Sequence, residues 1–327
     1  MVQAARAVLG TVPLDKSSAM PTNDSRCVPS IDGALLAPSS LFFDGCSWGC
    51  IYYAGVYSGL WQRCGQRAGL AGTRWGGVSS GALLALGGAL GKTPADLFKL
   101  YDDLANIAAQ YGVMGKMSIY HEFVMLPWLP DGGDEWRRLN GRLFVGVTRP
   151  LDRFELVSEW SSNRELRDTL HGSMHIPLYM SHLADVKGAW CLDGGFSYVG
   201  QATIDEHTVH VGPDHRPCFA ISPPQELGYD VCFAPTDAAG RSRLVAQGEA
   251  GAAAWCLGTS AAAAAARDPA EERPLFARFL SSSVGRRLMV LFFWWLRSVE
   301  QYGRAHALAA LCGWLWWRRR GMFLKVT

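Results

Sequence analysis

The stretch TRWGGVSSGALLALGGALG, residues 73–91, determines the fold expected for this chain. Its first part, TRWGGV, has the character of a short strand, and its second part, SSGALLALGGALG, that of a helix built from small residues. Between them, Gly77-Val78-Ser79-Ser80-Gly81 matches G-x-S-x-G. On a sharp strand-to-helix turn this pattern leaves the hydroxyl of Ser79 projecting at the end of a sheet. An ordinary Gly/Ser turn has the same composition, so the motif needs support from elsewhere in the chain.

The rest of the chain alternates strand-like and helix-like segments. A helix is predicted to start at Thr93, Pro94 and Asp96 and to stop at Gly112. Another follows the capping-box spacing of Ser162 and Glu165. The predicted strands are SLFF (40–43), RLFVGVT (142–148), FELVSEW (154–160) and AWCL (189–192). Such alternation predicts an α/β sandwich around a largely parallel sheet.

A second polar signal stands at the end of the AWCL strand. Asp193-Gly194-Gly195 lets the backbone turn sharply and leaves a carboxylate at the tip of a loop. Taken alone, Asp-Gly-Gly is an ordinary turn, and that interpretation stays open for it as well.

The loop DGCSWGC, residues 44–50, joins the first predicted strand to the first predicted helix. A loop in that place directs backbone N–H groups at a forming oxyanion, helped by the positive end of the helix. Its two cysteines, Cys46 and Cys50, also fit half a metal site, a redox pair or a thiol switch beside an active site. No other Cys-x2–4-Cys pair exists to complete a zinc site. The nine cysteines are irregularly spaced, which predicts reduced thiols and an intracellular protein.

These three elements, in this order, resemble the patatin-like phospholipase family, and most closely its adipose-triglyceride-lipase-like branch. The resemblance covers about residues 40–205 and includes weaker similarities in RLFVGVTRP (142–150) and HGSMHIPLY (171–179). It implies a three-layer α/β/α hydrolase with a mostly parallel central sheet, spanning 40–215, and a helical C-terminal extension.

The resemblance also implies a Ser–Asp dyad that hydrolyses triacylglycerol or glycerophospholipid without cofactor or metal. Ser79 would attack the ester carbonyl, Asp193 would take its proton, and water would hydrolyse the acyl-enzyme. An aspartate has a reference pKa near about 3.9, so Asp193 would be a weak base unless it is shielded from water. The N–H groups implied for the oxyanion hole belong to Gly45, Cys46, Ser47 and Ser80, and the elbow and turn glycines are Gly77, Gly81, Gly194 and Gly195.

The loop departs from the family pattern Gly-x-Gly-x-x-Gly. Gly45 is retained, but Ser47 and Cys50 stand in place of two glycines, and Gly49 replaces a basic or bulky residue. Ser47 is expected to pay a conformational cost for a left-handed backbone. A catalytically lapsed protein that binds lipid or acts as a scaffold therefore stays open as an alternative.

Histidines offer two further hypotheses. His171 and His175 have a helix-compatible metal spacing, but Gly172 and the nearby Pro177 are expected to prevent a stable helix there. A Ser–Asp–His triad is formally available through the histidines that follow Asp193, which are His207, His210 and His215. In the strand EHTVHV (206–211), His207 and His210 are expected to point to opposite faces.

The two ends of the chain differ from its centre. Residues 1–39 are polar and Pro-rich and are predicted to be a disordered lead, whereas 216–327 is predicted to be helical. The tail 286–327 has seven Arg, one Lys, one Glu and five Trp, which favours either packing on the core or docking on an anionic membrane or lipid droplet. No segment is long enough to span a bilayer, so peripheral association from the cytoplasm is expected. The net charge of +2 is too small to indicate nucleic acid, and no protein activator can be identified.

Overall fold

The computed structural model describes residues 37–259 except for short segments at 150–152, 177–178, 181–184, 199–201, 217, 226, 228–230 and 232–233. The predictions for the basic tail 286–327, and for the N-terminal lead as far as residue 36, lie outside the described residues.

A mixed sheet forms the middle of the molecule. Its strands, in chain order, are β1 (Ser40–Phe43), β2 (Arg74–Val78), β3 (Leu143–Arg149), β4 (Arg153–Val157), β7 (Leu192–Asp193) and β8 (Thr208–Val211), while β5 (Asp185–Val186) and β6 (Ala189–Trp190) form a separate hairpin. The order across the sheet is β4-β3-β2-β1-β8, and β7 pairs with β3 beside this path. The pairs β3-β2, β2-β1 and β1-β8 are parallel, whereas β4 and β7 run antiparallel to β3.

Eight α-helices lie in the part of the chain that the structure describes. They are α1 (Ile51–Arg63), α2 (Gln66–Leu70), α3 (Ser80–Ala89), α4 (Pro94–Tyr111), α5 (Met117–Met125), α6 (Glu135–Leu139), α7 (Asn163–Ser173) and α8 (Ala238–Cys256). Short 3-10 turns occupy Ser47–Cys50 and Gly194–Phe196. None of these helices combines the length and the apolar character that crossing a bilayer requires.

The two faces of the sheet carry different layers because alternate strand residues point to opposite sides. In β1, Leu41 and Phe43 belong to the large core beneath the helices. Phe42, between them, packs with Val78 and Tyr198 in a smaller cluster on the other face, covered by the chain that follows Asp193. The prediction of a layered α/β hydrolase fold around a mostly parallel sheet is confirmed.

Local capping signals account for the ends of two helices. Thr93 and Asp96 make a reciprocal capping box at the start of α4, as predicted, and Gly112 follows its end with φ +78°. Helix α7 includes His171 and Gly172 but ends at Ser173, before His175, so no helix carries both histidines, as expected. It is held by the Ser162 cap, which accepts from the Glu165 N–H at 3.1 Å, and by buried leucines at 166 and 170.

Helix α8 begins at Ala238, beyond the predicted limit of the hydrolase domain at residue 215. It packs along α1 so closely that two glycines are needed, because a Cβ at Gly55 would lie 2.2 Å from the carbonyl oxygen of Val245 and one at Gly248 would lie 2.1 Å from that of Tyr52. Trp255 of α8 is buried in the same large core. The core therefore continues past residue 215, at least to Cys256.

This contact can be tested with a matched pair of glycine variants. Gly55→Ala should lower the free energy of unfolding by about 1–3 kcal/mol, because the new methyl group forces the two backbones apart. Gly72→Ala is the control, since a Cβ there meets nothing within 4 Å. Urea unfolding measures both. Equal stability of the two variants would contradict the close packing of α1 on α8.

Candidate active site

One edge of β3 is shared by two strands that arrive from opposite directions. Strand β2 pairs with it as far as Val78 opposite Gly146. The next residue of β3, Val147, pairs with Asp193 of β7. At these residues the other edge of β3 is paired with β4. Strand β7 therefore lies on the same edge of β3 as β2, directly after the end of β2. Ser79 leaves β2 at the point where Asp193 arrives, and the two side chains meet.

Ser79 lies on a strained turn between β2 and α3. Its φ of +53° and ψ of −133° are rare for a residue with a side chain, and such a conformation costs on the order of 1–3 kcal/mol. The Ser173 hydroxyl accepts from the Ser79 N–H at 2.9 Å and donates to the Gly146 carbonyl oxygen at 2.6 Å. The turn also needs Gly81, where a Cβ would lie 2.5 Å from the carbonyl oxygens of strand β1 and its loop. The predicted elbow geometry is present.

Hydrogen bonds hold both the carboxyl group and the backbone of Asp193. Ser79 Oγ donates to Asp193 Oδ2 at 2.5 Å, and the Gly195 N–H donates to Oδ1 at 2.8 Å. The Thr148 hydroxyl donates to the backbone carbonyl of Asp193 at 2.7 Å. A Cβ at Gly194 would lie 2.3 Å from the Gly146 carbonyl oxygen, so the turn after the aspartate presses directly on β3.

Burial changes the acidity of this carboxyl. Asp193 is 5% exposed and Ser79 is 7% exposed. Loss of hydration raises the pKa of Asp193 to about 7, against the opposing effect of the hydrogen bonds from Ser79 and Gly195. The nearby charge of Asp44 raises it further. A base with a pKa near neutrality accepts a proton far better than a solvated aspartate, so the shielding that the sequence argument required is present.

The backbone amides around Ser79 are not equivalent. The Gly45 N–H donates to Asp44 Oδ1 at 2.7 Å, and the Cys46 N–H donates to Ser80 Oγ at 3.3 Å. Within the described chain, the N–H groups of Ser47 and Ser80 donate to no other group, and both residues line the same cavity as Ser79. Ser80 is also the first residue of α3, where the helix end is positive. These two amides are the donors available to a ligand in this conformation.

The two residues that replace glycines in the loop behave differently. Ser47 has a φ of +50°, so it adopts the left-handed backbone that the sequence led us to expect. Cys50 has ordinary helical angles and is buried, and burial raises the pKa of its thiol to about 12. A thiol this hard to ionise is a poor nucleophile, which argues against the thiol-switch hypothesis for Cys50.

A buried ion pair beside the dyad was missed from the sequence. Arg216 donates to Asp44 Oδ2 and also to Asp214, and its guanidinium stacks 4.5 Å from the ring of Phe219. Burial raises the pKa of Asp44 to about 6, while Arg216 opposes this shift. The position of Asp44, between a strand and the glycine-containing loop, could have indicated that this residue lies near the site. Nothing in the sequence links it to a residue 172 positions away.

An apolar cavity extends from Ser79 into the helical layer. Its empty space is about 520 Å³, including space open to solvent. Besides the three serines, its wall is formed mostly by large apolar side chains, among them Trp48, Leu83, Leu104, Met117, Met174 and Ile176. His121 also lines it, and burial together with neighbouring His171 lowers the pKa of His121 to about 3, so this ring is neutral. This apolar lining suits the aliphatic part of a substrate whose reacting end lies at Ser79.

The other histidines lie apart from the dyad. His210 is buried, with Nδ1 3.5 Å from the Tyr198 hydroxyl, and His207 is exposed, so the two do point to different faces. His215 Nε2 lies 2.6 Å from the Pro223 carbonyl oxygen. His171 lies beside Glu122, and His175 accepts the Asp193 N–H through its backbone. Of the residues described, no imidazole hydrogen-bonds to Ser79 or to the Asp193 carboxylate, and no cluster of His, Cys, Asp and Glu is placed to hold a metal.

Comparison with known proteins found a match to one family model. Residues 41–200 match the family model described as patatin-like phospholipase. The matched stretch contains both Ser79 and Asp193. The family is one of lipid acyl hydrolases, and the match does not distinguish its branches.

Similarity to solved structures occurs at low sequence identity. The crystal structure of VipD from Legionella pneumophila resembles this chain with 15% identity and a TM-score of 0.36, over 57% of this chain and 52% of that one. The chain thus spans about half the length of VipD. A search of curated proteins found no match.

The burial of Asp193 has a consequence for stability. Between the unfolded pKa of 3.8 and the folded pKa of about 7, the folded protein keeps a proton that the unfolded chain has released, so stability must fall as pH rises through this window. Asp193→Asn removes this pH-dependent loss of stability while keeping the shape of the side chain. Its melting temperature should exceed that of the unmodified protein by several degrees at pH 8 and match it at pH 4. An equal difference at both pH values would contradict a buried carboxyl with a raised pKa.

Proposed function

We propose that this protein hydrolyses acyl esters of glycerolipids through a catalytic dyad of Ser79 and Asp193. The observation that carries the proposal is the 2.5 Å hydrogen bond from the Ser79 hydroxyl to the buried carboxyl of Asp193, beside an apolar cavity that Ser79 lines. The patatin domain over residues 41–200 supports the same class of chemistry.

In the proposed first step, Ser79 Oγ attacks the ester carbonyl carbon and its proton passes to Asp193 Oδ2. The tetrahedral intermediate then collapses, the bond to the alcohol breaks, and Asp193 returns the proton to the leaving oxygen. An acyl group remains on Ser79. In the second step a water molecule gives a proton to Asp193 and attacks the acyl carbon. The bond between that carbon and Ser79 Oγ then breaks, Asp193 returns the proton to Oγ, and the carboxylic acid is released.

The negative charge on the carbonyl oxygen would be held by the N–H groups of Ser47 and Ser80. Both are unused within the described structure, and the second lies at the positive end of α3. Gly45 and Cys46 contribute to the same loop, and their N–H groups would join the hole only by giving up their present partners. Removal of one such donor typically costs about 10²–10³ in rate.

The substrate class follows from the cavity and from the sequence resemblance. A long aliphatic acyl chain fits the apolar wall, and either triacylglycerol or a glycerophospholipid presents one. The resemblance to the adipose-triglyceride-lipase-like branch favours triacylglycerol and a lipid-droplet or membrane surface. In this proposal the enzyme works from the cytoplasmic side as a peripheral protein, and its basic, aromatic tail 286–327 contributes to docking.

The alternative of a lapsed hydrolase rests on the altered loop. Ser47 adopts a positive φ, which glycine adopts with little strain. The loop therefore keeps its backbone conformation with serine at this position, although that conformation is strained. The dyad and two amides are present together, which favours an active enzyme over a scaffold.

A fluorophosphonate probe separates these alternatives directly. The probe should label the folded protein at Ser79, because only a serine activated by a base reacts readily. Labelling should disappear in Ser79→Ala and persist in Ser242→Ala, a control at an exposed serine of α8. An unlabelled but folded protein would favour the scaffold.

The proposed base also predicts a pH dependence. Asp193 must be ionised to accept the proton, so kcat/KM should rise with pH through an apparent pKa of about 7 and level off above it. His207→Gln, His210→Gln and His215→Gln should each keep this profile. If kcat/KM of any one of these variants no longer rose with pH through this range, that histidine would be part of a Ser–Asp–His triad and the dyad would be contradicted.

A further inference from the structure

Large apolar side chains at the surface are concentrated in one short segment. Of the six that are strongly exposed in the described chain, five fall between residues 111 and 126. These are Tyr111, Met114, Ile119, Phe123 and Leu126, and the sixth is Leu257. Single exposed apolar residues are normal, whereas a cluster of them marks an interaction surface.

Helix α5 accounts for the centre of this cluster because it is apolar on two sides. Met117 and His121 point inward and line the cavity that contains Ser79. Ile119 and Phe123 point outward and are 61% and 63% exposed, with Leu126 following on the same side. The spacing of four and three residues makes one continuous stripe along the helix. A helix on the surface of a globular protein normally carries polar residues on this side.

The charges beside this stripe are already matched. A groove at its edge contains Arg164, Arg167 and three acidic residues, which are Glu122, Asp131 and Asp168. Arg167 is held by Asp131 at 2.6 Å and by Glu122 at 3.0 Å. In this groove the three acidic residues outnumber the two arginines, so it lacks the excess positive charge with which proteins attract anionic lipid.

We propose that Ile119, Phe123 and Leu126, with Tyr111 and Met114, form a docking face that inserts into a neutral or zwitterionic lipid surface. A lipid surface is the occupant favoured by the placement of the face. One helix, about 10 Å across, separates it from the cavity that would receive an acyl chain from that surface. The choice of a lipid rests on the proposed function, and the face is distinct from the basic tail, for which an anionic surface would be needed.

The test uses the full chain and phosphatidylcholine vesicles, with and without phosphatidylserine. The double variant Ile119→Ser/Phe123→Ser should bind both kinds of vesicle about 10- to 100-fold more weakly, because two large apolar side chains no longer enter the lipid. Leu257→Ser, which removes an exposed apolar side chain elsewhere, should bind as the unmodified protein does. Hydrolysis should be measured on a water-soluble short-chain ester and on an emulsified long-chain ester. The double variant should lose activity on the emulsion and keep it on the soluble ester, since neither replaced residue lines the cavity.

Three results would overturn the docking face. One is unchanged vesicle binding by the double variant, including the case in which deletion of 286–327 alone abolishes binding. Another is the absence of binding to phosphatidylcholine by the unmodified protein. The third is a dimer, seen by light scattering, that the double variant converts to a monomer, which would make the face a contact between two chains. Failure of the proposed function looks different: neither ester would be hydrolysed, while the vesicle measurements would still decide the docking face.

Discussion

The structure depends on a single edge of β3 that two strands share. Strand β2 ends opposite Gly146, and β7 begins its pairing one residue later, at Val147. Because one strand arrives in parallel and the other in antiparallel orientation, their ends converge. The serine at the end of β2 and the aspartate at the end of β7 are brought within 2.5 Å, although they are 114 positions apart in the chain. Backbone hydrogen bonds fix this register, so the contact does not rely on flexible side chains.

The meeting of β2 and β7 on β3 also determines the acidity of Asp193. The junction of the two strands lies beneath packed backbone, with glycines at 81 and 194 allowing approaches that no side chain would permit. The carboxyl is therefore buried, and its loss of hydration raises its pKa toward neutrality. A buried carboxyl reduces folding stability once it ionises, and the serine adds backbone strain. Both costs are typical of a site arranged for reaction, and the extensive core, including the close α1–α8 contact, is able to offset them.

Local sequence signals were sufficient for much of this fold. The capping residues Thr93 and Asp96, the G-x-S-x-G elbow and the Asp-Gly-Gly turn each act within a few residues, so the sequence indicates them directly. Partners distant in the chain could not be predicted from one sequence. Arg216 pairs with Asp44, Ser173 supports the backbone of Ser79, and α8 completes the core beyond residue 215.

A high-resolution crystal structure of the full chain tests the central claim most directly. The decisive quantity is the separation between Ser79 Oγ and the nearer carboxylate oxygen of Asp193. This account predicts a direct hydrogen bond of about 2.5–3.0 Å, with β7 following β2 along β3 and no imidazole interposed. A separation that leaves the two groups out of hydrogen-bonding reach, or a histidine between them, would contradict it.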